Sequence, residues 1–418
     1  MLWQAFRHAR WAVLFFTFLP AVRLLFGWIL PPVLRYMWHN RSMLHLAQDD
    51  KPVYHKVECV AAGLKYGSHS REYMDILGPS ELPDLGGAGQ SYADYAVALL
   101  WTLLDLVTCY PRALYRFFFP CSNASHVRAK EFPRAIVFIH GGGMCAVDPA
   151  IQHHQLTAFA RAGFAVYSIA YPWAPENPFP AQVVSTLKAL SWIHRCHGRG
   201  SVSLVGESAG GTLVTTVGAL LSNPGALAEF DQRCHDFYGA YEDVAHWRYP
   251  TIDRVISWYG ILDDSSWRGR GFLSWGLAWT FDTWVEDSPF PRWLSGVQAH
   301  EDANARRHDP FVTISAMVDA GFVQRMPPTL LIAGRTDPLG LYHSSVLAKA
   351  KLDGVPGVQV CLVEYEAGHA FIGLNPFILL VLQGNKWRTE LAKPATQLCV
   401  EFLQQPHAHE QRSSLKSL

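Results

Sequence analysis

The sequence predicts an α/β fold, a mostly parallel central sheet with helices on both faces, and three observations carry that expectation. First, short β-rich runs alternate with helical stretches: Ala135–Ile139, Ala165–Ala170, Val202–Val205, Arg254–Trp258, Thr329–Ala333 and Val358–Tyr365. Parallel strands need a crossover, and the crossover is usually a helix, so alternation argues for parallel pairing. Second, several of these runs are apolar from end to end, as strands covered on both faces are. Third, the side chains of most chemical interest follow the carboxyl ends of the runs, where sites form in open α/β sheets.

Composition bounds what else the chain can be. Its 418 residues carry 35 Lys plus Arg and 35 Asp plus Glu, so the formal net charge is zero and no global field draws nucleic acid. Charged residues make up only 17%, against about 25% in ordinary soluble domains. The apolar excess is concentrated. From Trp11 to Leu34 the chain is nearly all apolar, with Arg23 its one charge. That length suits a bilayer span, but Pro20, Arg23 and Pro31-Pro32 interrupt it. Two short interfacial helices or a kinked signal-anchor fit better than a plain span, and a helix docked on the protein's own core is the competing reading. Residues 1–50 are therefore expected to form a membrane-associated segment, with membrane lipid as a partner and the endoplasmic reticulum as the location.

Residues 64–80 look like two short strands opening the main domain, expected over 63–405. An apolar insertion over about 81–130 carries Ser91–Phe119, either an interfacial segment or a lid helix resting on the domain. The run Ala135–Ile139 ends in "HGGGM", His140 to Met144. Glycines after a strand let backbone N–H groups turn inward with no side chain between them and a ligand. Acyl transfer needs such donors, because the tetrahedral intermediate carries charge on oxygen.

The strand Val202–Val205 runs into "GESAGG", with Ser208 between Gly206 and Gly210. A sharp strand-to-helix turn would hold this serine exposed above the sheet, and the flanking glycines remove the Cβ atoms that would clash. Asp337 follows Thr329–Ala333 in "GRTDPLG", and His369 follows Val358–Tyr365 in "EAGHAF". Serine is weakly nucleophilic until a base takes its proton; His369 suits that task, and Asp337 would fix the imidazole tautomer.

Together these stretches resemble the hormone-sensitive-lipase-like branch of the α/β-hydrolases, which includes arylacetamide deacetylases and related carboxylesterases. "YPWAPENPFPA" (Tyr171–Ala181) and "MPPTLLIAGRTDPL" are also similar to segments of that family, and "YGSHSREYMDILGP" is similar to its opening strands. Kynurenine-formamidase-like and prenylcysteine-methylesterase-like relatives share that opening. The resemblance implies an α/β-hydrolase fold with Ser208 as nucleophile, His369 as base and Asp337 as orienting acid. It implies an oxyanion hole from the N–H groups of Gly141, Gly142 and Ala209, and hydrolysis of hydrophobic esters without metal or cofactor. Amide or formamide hydrolysis and prenylcysteine ester cleavage suit the same triad. An inactive fold serving as a ligand receptor is the rival of another class.

A cap is expected over about 225–310, where Trp267, Trp275, Trp279, Trp284 and Trp293 cluster. These would line an acyl-binding lid, face a membrane or pack within the cap. The eight cysteines show no paired spacing and read as mostly reduced or sparsely bridged. His153-His154, "HRCH" at 194–197 and "HAHE" at 407–410 lack convincing metal-ligand spacing. Residues 406–418 read as a flexible tail. Oligomeric state is not legible.

Overall fold

The computed structural model describes residues 56–80, 133–174, 176–238, 243–270, 274–285, 308–372 and 391–405. In chain order these form β1 (Lys56–Lys65), β2 (Tyr73–Ser80), β3 (Arg134–Ile139), α1 (His153–Arg161), β4 (Phe164–Ile169), α2 (Ala181–His197) and β5 (Ser201–Glu207). Then follow α3 (Ala209–Ser222), α4 (Pro224–Tyr238), β6 (Thr251–Trp258), α5 (Ser274–Val285), α6 (Ile314–Asp319), β7 (Thr329–Gly334), α7 (Leu341–Asp353), β8 (Val360–Tyr365) and α8 (Ala392–Gln404). The eight strands make one sheet in the order β1-β2-β4-β3-β5-β6-β7-β8. The β1–β2 and β2–β4 pairs are antiparallel, and every later pair is parallel.

Period-two side-chain alternation divides the core between the two faces of this sheet. Val137 and Ile139 of β3, Tyr167 of β4 and Leu204 of β5 face one cluster, covered by Leu187 of α2, Leu213 of α3 and Leu352 of α7. Ile136 and Phe138, Val166 and Val205 face the other, covered by Phe159 of α1 and Leu403 of α8. With both faces covered, the central strands show no polar side, which is why they read as continuous apolar runs.

Boundaries differ from expectation where charges intrude. β6 begins at Thr251 rather than Arg254, because Asp253 and Arg254 break the apolar pattern without breaking the strand. Arg254 is buried, its guanidinium lying over the Phe402 ring and donating to the Gln405 carbonyl at 2.8 Å. The same strand lies inside the range expected for a cap, 225–310. It is a central member of the sheet, so cap residues can come only from the chain on either side of it. β8 starts at Val360 rather than Val358, and β1 extends back to Lys56.

Two of the cap tryptophans pack inward. Trp267 and Trp284 are fully buried. Trp284 donates from Nε1 to Gln182 Oε1 at 2.7 Å and meets Phe179 and Phe281 edge-on. The Phe179 N–H donates to the Trp284 carbonyl at 2.9 Å, so α5 is fastened to the start of α2. Trp293 and the side chains of Trp275 and Trp279 lie outside the described residues, as do the 1–50 segment, the 81–130 insertion and the 406–418 tail. Among the described residues no helix is long and apolar enough to cross a membrane. The described free cysteines are Cys145, Cys196, Cys234, Cys361 and Cys399.

Candidate active site

β5 lies between β3 and β6, and the chain turns directly from its end into α3. Ser208 sits at that turn with φ 51° and ψ −115°, a strained conformation for a residue with a side chain. Glycine is required on both sides: a Cβ on Gly206 would lie 2.2 Å from the Gly210 carbonyl oxygen, and one on Gly210 would lie 2.0 Å from that of Ile139. The turn is tied to the sheet by the Ser208 N–H, which donates to the Trp258 carbonyl at 2.8 Å.

The acid and base arrive from the loops after β7 and β8. His369 Nε2 lies 3.0 Å from Ser208 Oγ, and His369 Nδ1 lies 2.9 Å from Asp337 Oδ2. All three residues are buried. The other Asp337 oxygen accepts the Leu339 N–H at 2.7 Å, which fixes the carboxylate plane. Burial of the linked groups shields their interactions from water and from salt. The arrangement can move a proton from Ser208 Oγ to imidazole while the carboxylate supports the resulting charge.

The loop after β3 closes over the same turn. A Cβ on Gly141 would lie 3.2 Å from Ser208 Cβ, so the loop backbone approaches the serine directly. Gly142 has φ 105° and Gly143 φ 62°, and a Cβ on Gly142 would lie 2.2 Å from the Ala146 carbonyl oxygen. Carbonyls hold the loop in place. That of Gly142 accepts the Cys145 and Ala146 N–H groups at 3.1 Å, and that of Gly141 accepts the Tyr171 hydroxyl at 3.2 Å. The Tyr171 ring stacks on His140 with centroids 4.3 Å apart. Desolvation pushes the His140 imidazole down to about 3, so it is a neutral structural ring.

The Gly141 N–H adjoins the Glu207 carboxyl and favours that group's charged form. The other two expected oxyanion donors are Gly142 and Ala209, Ala209 being the first residue of α3, where N–H groups have no partner within the helix. Gly143 continues the same turn, one residue past where the sequence reading stopped.

Glu207 and Tyr259 belong to the site and were not singled out from the sequence. Glu207 is buried directly before the serine, and burial pushes its carboxyl up to about 7. Tyr259, with φ 41°, donates from its hydroxyl to Glu207 Oε1 at 3.2 Å and sets its ring edge-on to His369 with centroids 4.9 Å apart. No motif contains Tyr259; its signal is its place just after a central strand.

The weaker candidates resolve into structural contacts. His153 Nε2 is 3.2 Å from the buried Asp75 carboxylate. His194 Nδ1 lies 2.8 Å from the Arg199 carbonyl, and His197 Nδ1 lies 2.9 Å from the Tyr167 hydroxyl. The His154 side chain and residues 407–410 lie outside the described residues. Asp231, His235 and Asp243 place possible ligand atoms within 4.8 Å of one another. Their contacts already account for them: His235 Nε2 pairs with Asp243 at 2.8 Å, and Asp231 accepts the Val244 N–H at 2.7 Å.

Comparison with known proteins bears on the fold and the family. A family model described as alpha/beta hydrolase fold matches residues 136–373. The chain is similar to a probable carboxylesterase 6 of Arabidopsis thaliana, 34% identical over 148 residues, covering 32% of this chain and 44% of that protein. It is similar to the hormone-sensitive lipase of Bos taurus, 36% identical over 107 residues, covering 23% of this chain and 14% of that protein. The chain thus spans less than half the length of either relative. Among solved structures, esterase B from Lactobacillus rhamnosis superposes with a TM-score of 0.52 at 17% identity, covering 92% of this chain and 96% of that one. At that identity the likeness concerns the fold alone.

Proposed function

The chain belongs to the α/β-hydrolase-fold family, in its hormone-sensitive-lipase-like carboxylesterase branch, and from that premise we propose that it is a serine carboxylester hydrolase acting on hydrophobic esters such as acylated lipids or sterol or aryl acetates. The observation that carries this reading is the unbroken hydrogen-bonded line from Ser208 Oγ through His369 to Asp337.

In the first step His369 Nε2 takes the Ser208 proton as Oγ attacks the ester carbonyl carbon. The carbonyl electrons move to oxygen, and the tetrahedral oxyanion faces N–H groups of the loop after β3, that of Gly142 among them, and the Ala209 N–H at the start of α3. Each such donor is worth about 2.7–4 kcal/mol in transition-state stabilisation. Collapse of the intermediate breaks the bond to the alcohol, which leaves with the proton from His369. Water then enters, gives its proton to His369 and attacks the acyl-serine, releasing the acid and restoring the hydroxyl. Asp337 holds the imidazole in the tautomer with Nδ1–H toward itself throughout. These steps use side chains and backbone only.

A preference for hydrophobic esters is supported by the apolar composition of the chain and by the Trp11–Leu34 run, which favours a membrane as the source of substrate. The test is a fluorophosphonate probe together with a series of p-nitrophenyl esters of rising acyl length, run beside aryl-amide substrates. The probe is expected to label wild type and not Ser208→Ala, and esters are expected to be cleaved faster than amides. Labelling that survives Ser208→Ala would overturn the assignment of the nucleophile, and faster amide cleavage would overturn the substrate class.

A further inference from the structure

The proposed steps leave one buried titratable group beside the serine unused. Glu207 occupies the last position of β5. It is enclosed by groups from several loops that carry the site. From the loop after β6, the Tyr259 hydroxyl donates to Oε1 at 3.2 Å. From the loop after β3 comes Gly141, where a Cβ would lie 3.5 Å from Glu207 Oε2, and from the turn before α1 the Gln152 side chain; both favour the charged carboxylate. From the loop after β8, the His369 imidazole acts in the same direction when protonated. The Tyr171 phenol, held against the His140 ring, also feels the Glu207 charge. Among the described residues Oε2 has no hydrogen-bond partner, so the carboxyl is poised between an incompletely solvated anion and a neutral acid.

We propose that Glu207 is a positioning residue whose ionisation organises the site, drawing the Gly141 N–H toward itself and adding negative charge near the imidazole that Asp337 already supports. Three loops converge on one carboxyl. Ionised, it orders the loop that carries Gly142 and stabilises the imidazolium formed during proton transfer. Protonated, it relaxes both effects at once. Burial sets that switch near neutrality, since desolvation raises the carboxyl to about 7 against the pull of its donors.

The inference rests on the proposed hydrolase reading, and its test is chosen to fail separately from it. Histidine labelled with ¹³C at Cε1 reports His369 in the free protein, assigned by His369→Gln, and needs no substrate. In wild type the His369 resonance is expected to show an inflection near pH 7 that follows Glu207. Glu207→Gln, isosteric and non-titrating, is expected to abolish that inflection and to flatten the matching limb of the kcat/KM profile for p-nitrophenyl butyrate. Tyr259→Phe keeps the ring against His369 but removes the donor that favours the anion, so the inflection is expected to move to higher pH rather than vanish. A purely structural Glu207 would lower activity at every pH without moving the titration. An imidazole titration identical in wild type and Glu207→Gln overturns the inference whatever the esterase assay shows. A Glu207-dependent inflection of the imidazole resonance in a protein inert toward esters would keep the inference and reject the hydrolase reading.

Discussion

Asp337 has acidic neighbours in sequence, and what separates them is what each carboxylate touches. Asp319 pairs with Lys351 at 2.6 Å, Asp353 with Lys349 at 2.5 Å and Glu366 with Arg335 at 3.1 Å, all with exposed carboxylates. Asp337 alone among these is buried against His369. A salt bridge at the surface contributes little and is screened, whereas a buried carboxylate fixes the tautomer and supports the imidazolium. Asp337→Asn is therefore expected to cost several orders of magnitude in ester turnover, about 10⁴ by analogy with serine proteases, with little change in melting temperature. Asp353→Asn is expected to leave turnover within about twofold, since exposed pairs are worth no more than about 1 kcal/mol. Parallel esterase assays and melting curves decide it; near-full turnover in Asp337→Asn would show that another group orients the base. Ser208, Asp337 and His369 were legible in sequence because each follows a strand in a fixed chain order. Glu207 and Tyr259 were not. The motif leaves position 207 open, and Tyr259 reaches the site only through the pairing of β5 with β6.

The strand–turn–helix element from β5 to α3 depends on contacts that no side chain can share. At Gly210 a Cβ would press on the Ile139 carbonyl oxygen at 2.0 Å and that of His140 at 2.8 Å. Both are backbone atoms of the neighbouring strand and its loop, so relief requires moving the main chain that carries the oxyanion donors. Gly210→Ala is expected to destabilise by about 1–3 kcal/mol or more and to abolish fluorophosphonate labelling. Gly225 in α4 meets nothing within 4 Å, so the same change there is expected to be neutral or stabilising by up to about 1 kcal/mol. Melting curves and labelling on the two variants test this, and a folded, fully labelled Gly210→Ala would contradict the close approach. The other elements were legible in proportion to their burial. β3, β5 and β7 announce themselves as apolar runs because both faces are covered. The start of β6 hid behind Asp253 and Arg254, and the tryptophans, for which lining, membrane-facing and cap-packing roles were all open, include Trp267 and Trp284, which pack inward. Composition marks an aromatic as apolar, but only the partner across the interface decides whether it lines, faces or fills.

At the scale of the whole molecule, the question is where an apolar composition is housed. Half of the residues are hydrophobic and 17% are charged. The described hydrolase body hides its share: among the described residues, the large hydrophobics left exposed are Phe237 and Val346. Two isolated side chains make no patch able to hold a protein on a bilayer. Among those residues there is also no helix long and apolar enough to cross one. The segments that the sequence offers for membrane affinity, Trp11–Leu34 and Ser91–Phe119, lie outside them. The first has the higher apolar density and a single charge, whereas the second carries Asp94 and Asp105. On transfer scales an aspartate or arginine at a bilayer centre costs about 2.5–3.5 kcal/mol, so the first segment is expected to be the stronger anchor. Full-length protein is expected to sediment with membranes and to resist extraction by high salt and by carbonate. Removal of residues 1–50, which lie before β1, is expected to shift most of the protein to the supernatant while fluorophosphonate labelling of Ser208 persists. Membrane binding that survives the truncation would transfer the anchor to Ser91–Phe119. Full-length protein that stays in solution without detergent would overturn membrane association and favour the competing reading of the Trp11–Leu34 run, a helix docked on the protein's own core.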